Sequence, residues 1–292
     1  MRFGKKDKMK KVLVLGSTGM LGHIVHYFLD STNKYDLYNL SFRNKLNCKT
    51  IIEDVSDQQK LSNLINDICP DVIINCIGIL IQGSNENLKN AIYINAYFPH
   101  WLKDFCRDIN CKLIHVSTDC VFSGKNGGND ENSIKDALDD YGKTKSLGEF
   151  DSLNHLCIRT SIIGPELKQN GEGLMHWLFN QRGTINGFKN VFWSGVTTFE
   201  LAKAIHFSIE NNISGLWNVT NGVPISKYDL LKQIIQTFSI NKIKLEFNTN
   251  KISDKSLKSI REINYEVPTY NLMLKEFYKY FNQNRDLYNY DI

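Results

Sequence analysis

Tyr141-Gly-Lys-Thr-Lys145 places a phenol and an ammonium four residues apart, on one face of a helix, where both can act on one substrate atom. A free phenol titrates at about 10, and a neighbouring ammonium lowers that value by favouring the phenolate. The pair is therefore suited to proton transfer. The same spacing recurs at Tyr228 and Lys232, and in a chain with 13 tyrosines spacing alone decides nothing. Position among the surrounding elements has to separate the two.

A second feature is Gly16-Ser-Thr-Gly19-Met-Leu-Gly22. Its glycines leave the backbone bare, so a pyrophosphate can approach amides at a helix N-terminus, where the dipole favours negative charge. The motif follows an apolar run at residues 11–15 and precedes an amphipathic segment reaching Leu29, which reads as strand, tight turn and helix. That context marks a dinucleotide site. The next strand, residues 36–41, leads into Phe42-Arg43-Asn44-Lys45. No acidic residue between Asp36 and Glu53 is available for a ribose 2′-hydroxyl, and Arg43 would instead face a 2′-phosphate. NADPH is the expected cofactor, with NADH as the alternative.

The elements that must position these groups keep one rhythm. A short strand near Ile51 leads to Asp54, a candidate partner for an adenine amine. Ser56 and Asp57 cap a helix that carries Leu61, Leu64, Ile65 and Ile68 on one face before Pro70. Residues 71–78 are apolar on both faces and belong inside a parallel sheet, with Gly78 allowing close approach of a ligand. A helical stretch over residues 87–108 contains Pro99, which predicts a kink or break. The strand at residues 112–119 ends in Ser117-Thr118-Asp119, and a glycine-rich loop follows before the helix with Tyr141. Alternation of this kind predicts an α/β doubly wound parallel sheet that holds ligands outside its strand C-termini, where Thr118 would sit.

After residue 160 the rhythm changes. Helices near residues 174–181, 198–211 and 227–237 alternate with strands near 216–220 and 243–247, predicting a smaller C-terminal α/β lobe. The expected division is a flexible extension at 1–8, a dinucleotide-binding domain at 9–160 and a mainly substrate-binding lobe at 161–292. Trp177, Phe188, Phe192 and Trp193 read as core, and the tail from 278 to 292 reads as a fraying end.

Composition narrows the function. The chain has 292 residues, 42% hydrophobic and 23% charged, enough for a full core. Thirty-five basic against 31 acidic residues give a formal charge of +4 without a basic stripe, so neither nucleic acid nor membrane is an expected partner. Seven cysteines without a Cys-x-x-Cys pair argue against a zinc site or a disulfide framework and fit a reducing cytoplasm.

Taken in order, Gly16-x-x-Gly19-x-x-Gly22, Asp54, Asn75-Cys-Ile-Gly78, Asn95 with Pro99, Ser117-Thr118-Asp119 and Tyr141-x-x-x-Lys145 resemble an extended short-chain dehydrogenase/reductase with a Rossmann domain. The resemblance runs from about residue 10 to 280. Val116-Ser-Thr-Asp-Cys-Val-Phe-Ser-Gly124, Tyr141 to Glu149 and Ile158-Arg-Thr-Ser161 narrow it to sugar-nucleotide reductases of the dTDP-4-dehydrorhamnose reductase type. Two stretches depart from that type: Ile162-Ile-Gly-Pro165 stands where Trp-Val-Tyr-Gly is frequent, and Trp193-Ser-Gly-Val-Thr-Thr198 is unusual.

The resemblance implies NADPH-dependent reduction of the C4 ketone of a dTDP- or UDP-linked 4-keto-6-deoxyhexose, N-acetylated in one alternative. Tyr141 would be the general acid, Thr118 a hydrogen-bond donor to the same oxygen, and Lys145 the ammonium beside both. It assigns the cofactor to Gly16, Thr18, Gly19, Met20, Leu21, Arg43, Asp54, Val55, Cys76, Ile77, Gly78, Asn95, Tyr141 and Lys145, and the substrate to Val121, Phe122 and Trp193. A homodimer is compatible with it. Cys120 occupies the position of an acid/base cysteine in relatives such as GDP-fucose synthase, which makes a bifunctional 3,5-epimerase/4-reductase one alternative, with His176 the nearest candidate for the second acid/base group. A non-catalytic NADP-binding regulatory subunit is the other.

Overall fold

The computed structural model describes residues 9–292, and the extension expected at 1–8 lies outside the described residues. β1 (Lys10–Leu15) is apolar without alternation because both its faces are covered. Val12 and Val14 pack with Ile24, Val25 and Leu29 of α1 (Gly22–Ser31). Leu13 and Leu15 face the other way, onto Leu61 and Ile65 of α2 (Gln58–Ile68). The Asp57 side chain caps α2 by accepting from the Lys60 amide, as its position predicts.

β2 (Tyr35–Ser41) and the two-residue β3 (Ile51–Ile52) lie on one side of β1; β4 (Val72–Asn75), β5 (Lys112–Val116) and β6 (Leu156–Arg159) lie on the other. Between β4 and β5 run α3 (Ile81–Glu86), α4 (Leu88–Ala91), a π-helical turn at Ile92–Tyr97 and α5 (Phe98–Asp108). The break expected at Pro99 takes the form of this π-turn. Pro99 has no N–H for the Asn95 carbonyl four residues earlier, and the ladder widens so that the Phe98 amide bonds the Tyr93 carbonyl, five residues back.

The Asn95 carbonyl lies against α6 (Asp140–Gly148): a Cβ built on Gly148 would stand 1.9 Å from that oxygen. Gly148→Ala must therefore push α6 away from the π-turn. Overpacking of this kind costs about 1–3 kcal/mol, so the urea midpoint is expected to fall by that equivalent at unchanged m-value.

The second half consists of β7 (Ile162–Ile163), α7 (Leu174–Phe179), β8 (Gly183–Phe188), β9 (Val191–Trp193), β10 (Val196–Thr197), α8 (Thr198–Glu210), β11 (Gly215–Asn218), β12 (Ile225–Ser226), α9 (Lys227–Thr237), β13 (Ile243–Asn248), β14 (Ser253–Asp254) and α10 (Tyr270–Gln283). One expectation is corrected here. β11, expected in the smaller lobe, pairs with β6 and completes a seven-stranded sheet in the order β11-β6-β5-β4-β1-β2-β3, parallel throughout. The chain thus returns to the first layer after residue 160. The remaining strands form small sheets, β10-β7, β12-β9-β14 and β13-β8.

The C-terminal tail also differs from expectation. Tyr288 stacks on Phe281 at 4.9 Å between ring centroids, Tyr290 packs on Phe179 at 5.1 Å, and both tyrosines are buried. Apolar ring area outweighs the polar residues between the rings, and the tail is part of the core.

Candidate active site

The glycine turn follows β1 and faces the loop after β4, where the two adjacent strands diverge in connection order and leave a crevice. Gly16 has φ +78°, a left-handed conformation, and a Cβ there would stand 3.0 Å from Ile77 Cγ1. A Cβ on Gly22 would stand 2.2 Å from the Gly16 carbonyl oxygen, so close packing of helix on turn requires glycine there. Thr18, Gly19, Met20, Cys76 and Ile77 are half-buried and Gly78 is exposed, which makes them the rim of this crevice. Leu21 and Val55 are core side chains, and their backbones alone remain for a ligand.

Arg43 projects from the loop after β2, exposed and stacked on Phe42, and forms no ion pair among the described residues. With no acidic side chain between Asp36 and Glu53, this edge fits a 2′-phosphate. Asp54 is half-buried and accepts from the Ser56 amide at 2.9 Å. Asn95 is a correction. It is fully buried and its amide is spent on the backbone of Ile79, at 2.9 Å in both directions, and on Thr144 at 3.1 Å. It ties the β4 loop to α6 and presents no side-chain surface to a cofactor.

Thr118, Tyr141 and Lys145 converge at the C-terminal end of β5. Asp139 caps α6 by accepting from the Gly142 amide at 2.7 Å. A Cβ on Gly142 would stand 2.2 Å from the Cys120 carbonyl oxygen, so the glycine after Tyr141 lets the helix start lie against the strand end. The Thr118 hydroxyl donates to Asp119 Oδ1 at 3.3 Å and lies near enough to the Tyr141 phenol to favour its ionised form. Lys145 is buried, and its Nζ donates to the Val116 carbonyl at 2.8 Å and lies 3.5 Å from His115 Nε2. His115 Nδ1 meets the Asn75 amide at 3.1 Å, and Asn75 Oδ1 accepts from the Ile77 amide at 3.0 Å, so one line of contacts joins Lys145 to the crevice. The rival spacing on α9 packs differently: Tyr228 lies edge-on to Phe247, and Lys189, not Lys232, sits over its ring.

The electrostatics correct one further expectation. Burial pushes the Tyr141 phenol up, Cys120 adds to the effect, and the nearby Thr118 hydroxyl opposes it; Lys145 does not pull it down. The phenol therefore holds its proton across the neutral range, the form a general acid needs. Burial holds Lys145 down at about 8, and His115 is neutral because burial, then Lys145, lowers it.

With Lys145 below the ordinary lysine value, its ammonium is present below about pH 8 and is lost above it. The kcat/KM for NADPH, which reports the free enzyme, is expected to fall about tenfold per unit above that pH. The decline should be missing from Lys145→Met, whatever its residual rate.

Burial pushes the Cys120 thiol up to about 12, with Asp119 adding to the shift. A thiol so firmly protonated is a poor base for epimerisation. His176 is engaged by the Tyr290 hydroxyl at 2.8 Å and the Gln169 carbonyl at 3.1 Å, which leaves its ring nitrogens occupied. Val121 and Phe122 are fully buried against Leu257, so these two are core side chains and not substrate contacts. Trp193 is 2% exposed and packs on Tyr270, although its Nε1 has no acceptor.

Two groups that matter here were not singled out from the sequence. Arg159 and Glu149, both buried, form a bidentate pair at 2.7 and 2.8 Å, and Glu149 also accepts from Ser117 at 2.7 Å. The pair fixes the end of α6 to β6 and to the turn before Thr118. A buried arginine at a strand end and a glutamate four residues after Lys145 are its only sequence traces.

Residues 9–268 match the family described as RmlD substrate binding domain. The chain is 26% identical over 234 residues to a dTDP-4-keto-6-deoxy-D-glucose reductase of Streptomyces niveus, covering 75% of this chain and 76% of the relative. It is 26% identical over 247 residues to the methionine adenosyltransferase 2 subunit beta of Pongo abelii, covering 79% and 73%. Among solved structures, a dTDP-4-dehydrorhamnose reductase of Bacillus anthracis in complex with NADP superposes with TM-score 0.78 over 94% of this chain and 100% of that one, at 21% identity. That last likeness is one of fold. Among the described residues, no helix is long and apolar enough to cross a membrane.

Proposed function

The chain belongs to the RmlD substrate binding domain family, and from that premise we propose that it is an NADPH-dependent reductase of a sugar-nucleotide ketone. The observation that carries the reading is the juxtaposition of the Thr118 hydroxyl, the Tyr141 phenol and buried Lys145 at the sheet edge next to the glycine turn. The glycine turn and the β4 loop would hold the dinucleotide, and Arg43 its 2′-phosphate. NADPH, when bound, supplies the hydride.

The protein's own part is the proton. Thr118 and Tyr141 donate hydrogen bonds to the ketone oxygen and orient it. As negative charge develops there, Tyr141 gives up its proton to that oxygen, and the Lys145 ammonium, anchored on the Val116 carbonyl, would hold the ribose of the bound dinucleotide.

The substrate is a nucleotide-linked 4-keto-6-deoxyhexose, carried on dTDP or UDP and bearing a hydroxyl or an acetamido group at C2. NADPH oxidation against a panel of these compounds, with products identified by NMR, tests the proposal; oxidation with none of them would refute it. A second reading, an NADP-binding subunit without turnover, is favoured by the likeness to methionine adenosyltransferase subunit beta. It predicts NADPH binding with no oxidation across the whole panel.

A further inference from the structure

Asn75, His115 and Cys157 stand in register across β4, β5 and β6, and Lys145 of α6 places its Nζ 3.5 Å from Nε2 of the middle residue. The hydrogen bonds in this row have a fixed sense. A backbone N–H can only donate, so Asn75 turns Oδ1 toward the Ile77 amide, at 3.0 Å. Its Nδ2, which is a donor, is left to face His115 Nδ1 at 3.1 Å. Nδ1 must therefore accept. Burial keeps His115 neutral, and a neutral imidazole that accepts at Nδ1 carries its proton on Nε2. The ring nitrogen beside Lys145 is thus an N–H.

The other tautomer would accept from the Lys145 ammonium and spend one of its donors inward. As the row is built, the Val116 carbonyl at 2.8 Å is the one acceptor that Lys145 Nζ reaches among the described residues. The titratable groups packed around it do not make up the difference. Burial pushes the thiols of Cys157 on β6 and Cys76 after β4 up to about 12, which leaves both uncharged. Glu149, at the end of α6, is spent on Arg159 and Ser117. His100 of α5, which faces His115, is turned to the Leu147 carbonyl at 2.7 Å. A buried donor without an acceptor is costly until a ligand supplies one.

We infer that Asn75 and His115 are positioning residues, which aim an imidazole N–H at Lys145 and so reserve its remaining donors for oxygens of the dinucleotide. The inference rests on the dinucleotide reading above and adds the device that readies Lys145. In the free protein the imidazole N–H favours the amine, which can accept from it, over the ammonium, which cannot. Hydroxyl oxygens of a bound dinucleotide reverse that balance. Binding is then coupled to proton uptake on Lys145. Because Lys145 titrates at about 8 in the free protein, uptake is small below pH 7, where the ammonium already exists, and reaches about half a proton per dinucleotide at pH 8. A phosphate monoester, with a second pKa of about 6, does not titrate there.

Two measurements on the intact parent protein test this. Long-range ¹H–¹⁵N NMR of histidine-labelled protein at pH 7 reads each ring tautomer, His115 being identified by its proximity to the Phe150 ring. Calorimetric titration with NADP⁺ at pH 8, in buffers of different ionisation enthalpy, counts the protons taken up. The expected results are a proton on His115 Nε2 and about half a proton per NADP⁺.

Two substitutions then reverse the device. Asn75→Asp keeps the Ile77 bond and offers His115 an acceptor; Asn75→Leu withdraws the donor without adding charge. Each is expected to move the His115 proton to Nδ1, to remove most of the proton uptake and to weaken NADP⁺ about tenfold or more, since one Lys145 donor is then spent inward. A role for Asn75 in folding alone would lower stability and leave the tautomer where it was. A parent His115 protonated on Nδ1, or NADP⁺ binding without proton uptake at pH 8, would overturn the inference whether or not the variants fold, and so would a folded variant that kept both tautomer and uptake. No NADP⁺ binding at all would overturn it together with the dinucleotide reading. Proton-coupled NADP⁺ binding by the Nε2–H form, with no keto sugar reduced, would uphold it and remove the reductase reading instead.

Discussion

Tyr141→Phe is expected to lower turnover by about 10²- to 10⁴-fold, the usual contribution of a positioned proton donor, while NADPH binds as before. The ring stays, so packing beside Cys120 and the start of α6 is retained, and only the hydroxyl near Thr118 is lost. Because burial keeps this phenol protonated, the loss should be in kcat and not in its pH dependence near neutrality. Single-turnover oxidation of bound NADPH separates this from slow product release. A Phe variant that matched the parent would remove Tyr141 from the chemistry.

Arg159→Met is expected to destabilise the protein by about 3–5 kcal/mol, because it leaves the Glu149 carboxylate buried beside an apolar chain. Lys135 at 3.3 Å and the Ser117 hydroxyl remain as partners and place the value toward the lower end. Urea unfolding measures it. The double variant Arg159→Met/Glu149→Gln should recover a large part of the loss, since no unpaired charge is then buried. Were the loss to lie in apolar packing of the guanidinium over Phe122, the second substitution would add to the damage and not relieve it.

What the sequence makes legible here is what local chemistry encodes. The glycine turn, the Asp57 cap, the doubly buried β1 and β4 and the α9 span all follow from residue type at short range. Thr118, Tyr141 and Lys145 could be grouped because each falls at a predictable place in one alternating pattern. β11 could not be placed, since four residues of apolar strand say nothing about which edge they will join. The buried state of Val121, Phe122 and Asn95 likewise depends on distant partners, Leu257 for the first pair and Ile79 with Thr144 for Asn95. The rise in the Tyr141 pKa reverses an argument from spacing: the helix turn does bring Lys145 near, but burial outweighs it and the ammonium is turned to Val116. The docked tail shows that isolated aromatic residues in a polar stretch can supply enough ring area to order it.

The central claim is that this chain moves hydride to a carbon whose oxygen Tyr141 protonates. The most direct test supplies the protein with NADPH deuterated at C4 of the nicotinamide on its transferred face, together with the accepted keto sugar nucleotide, and locates the label by NMR. The account predicts one deuterium at C4 of the sugar in the parent protein, with label transfer slowed in Tyr141→Phe to the same degree as turnover. Tight NADPH binding with no deuterium in any sugar product would contradict it.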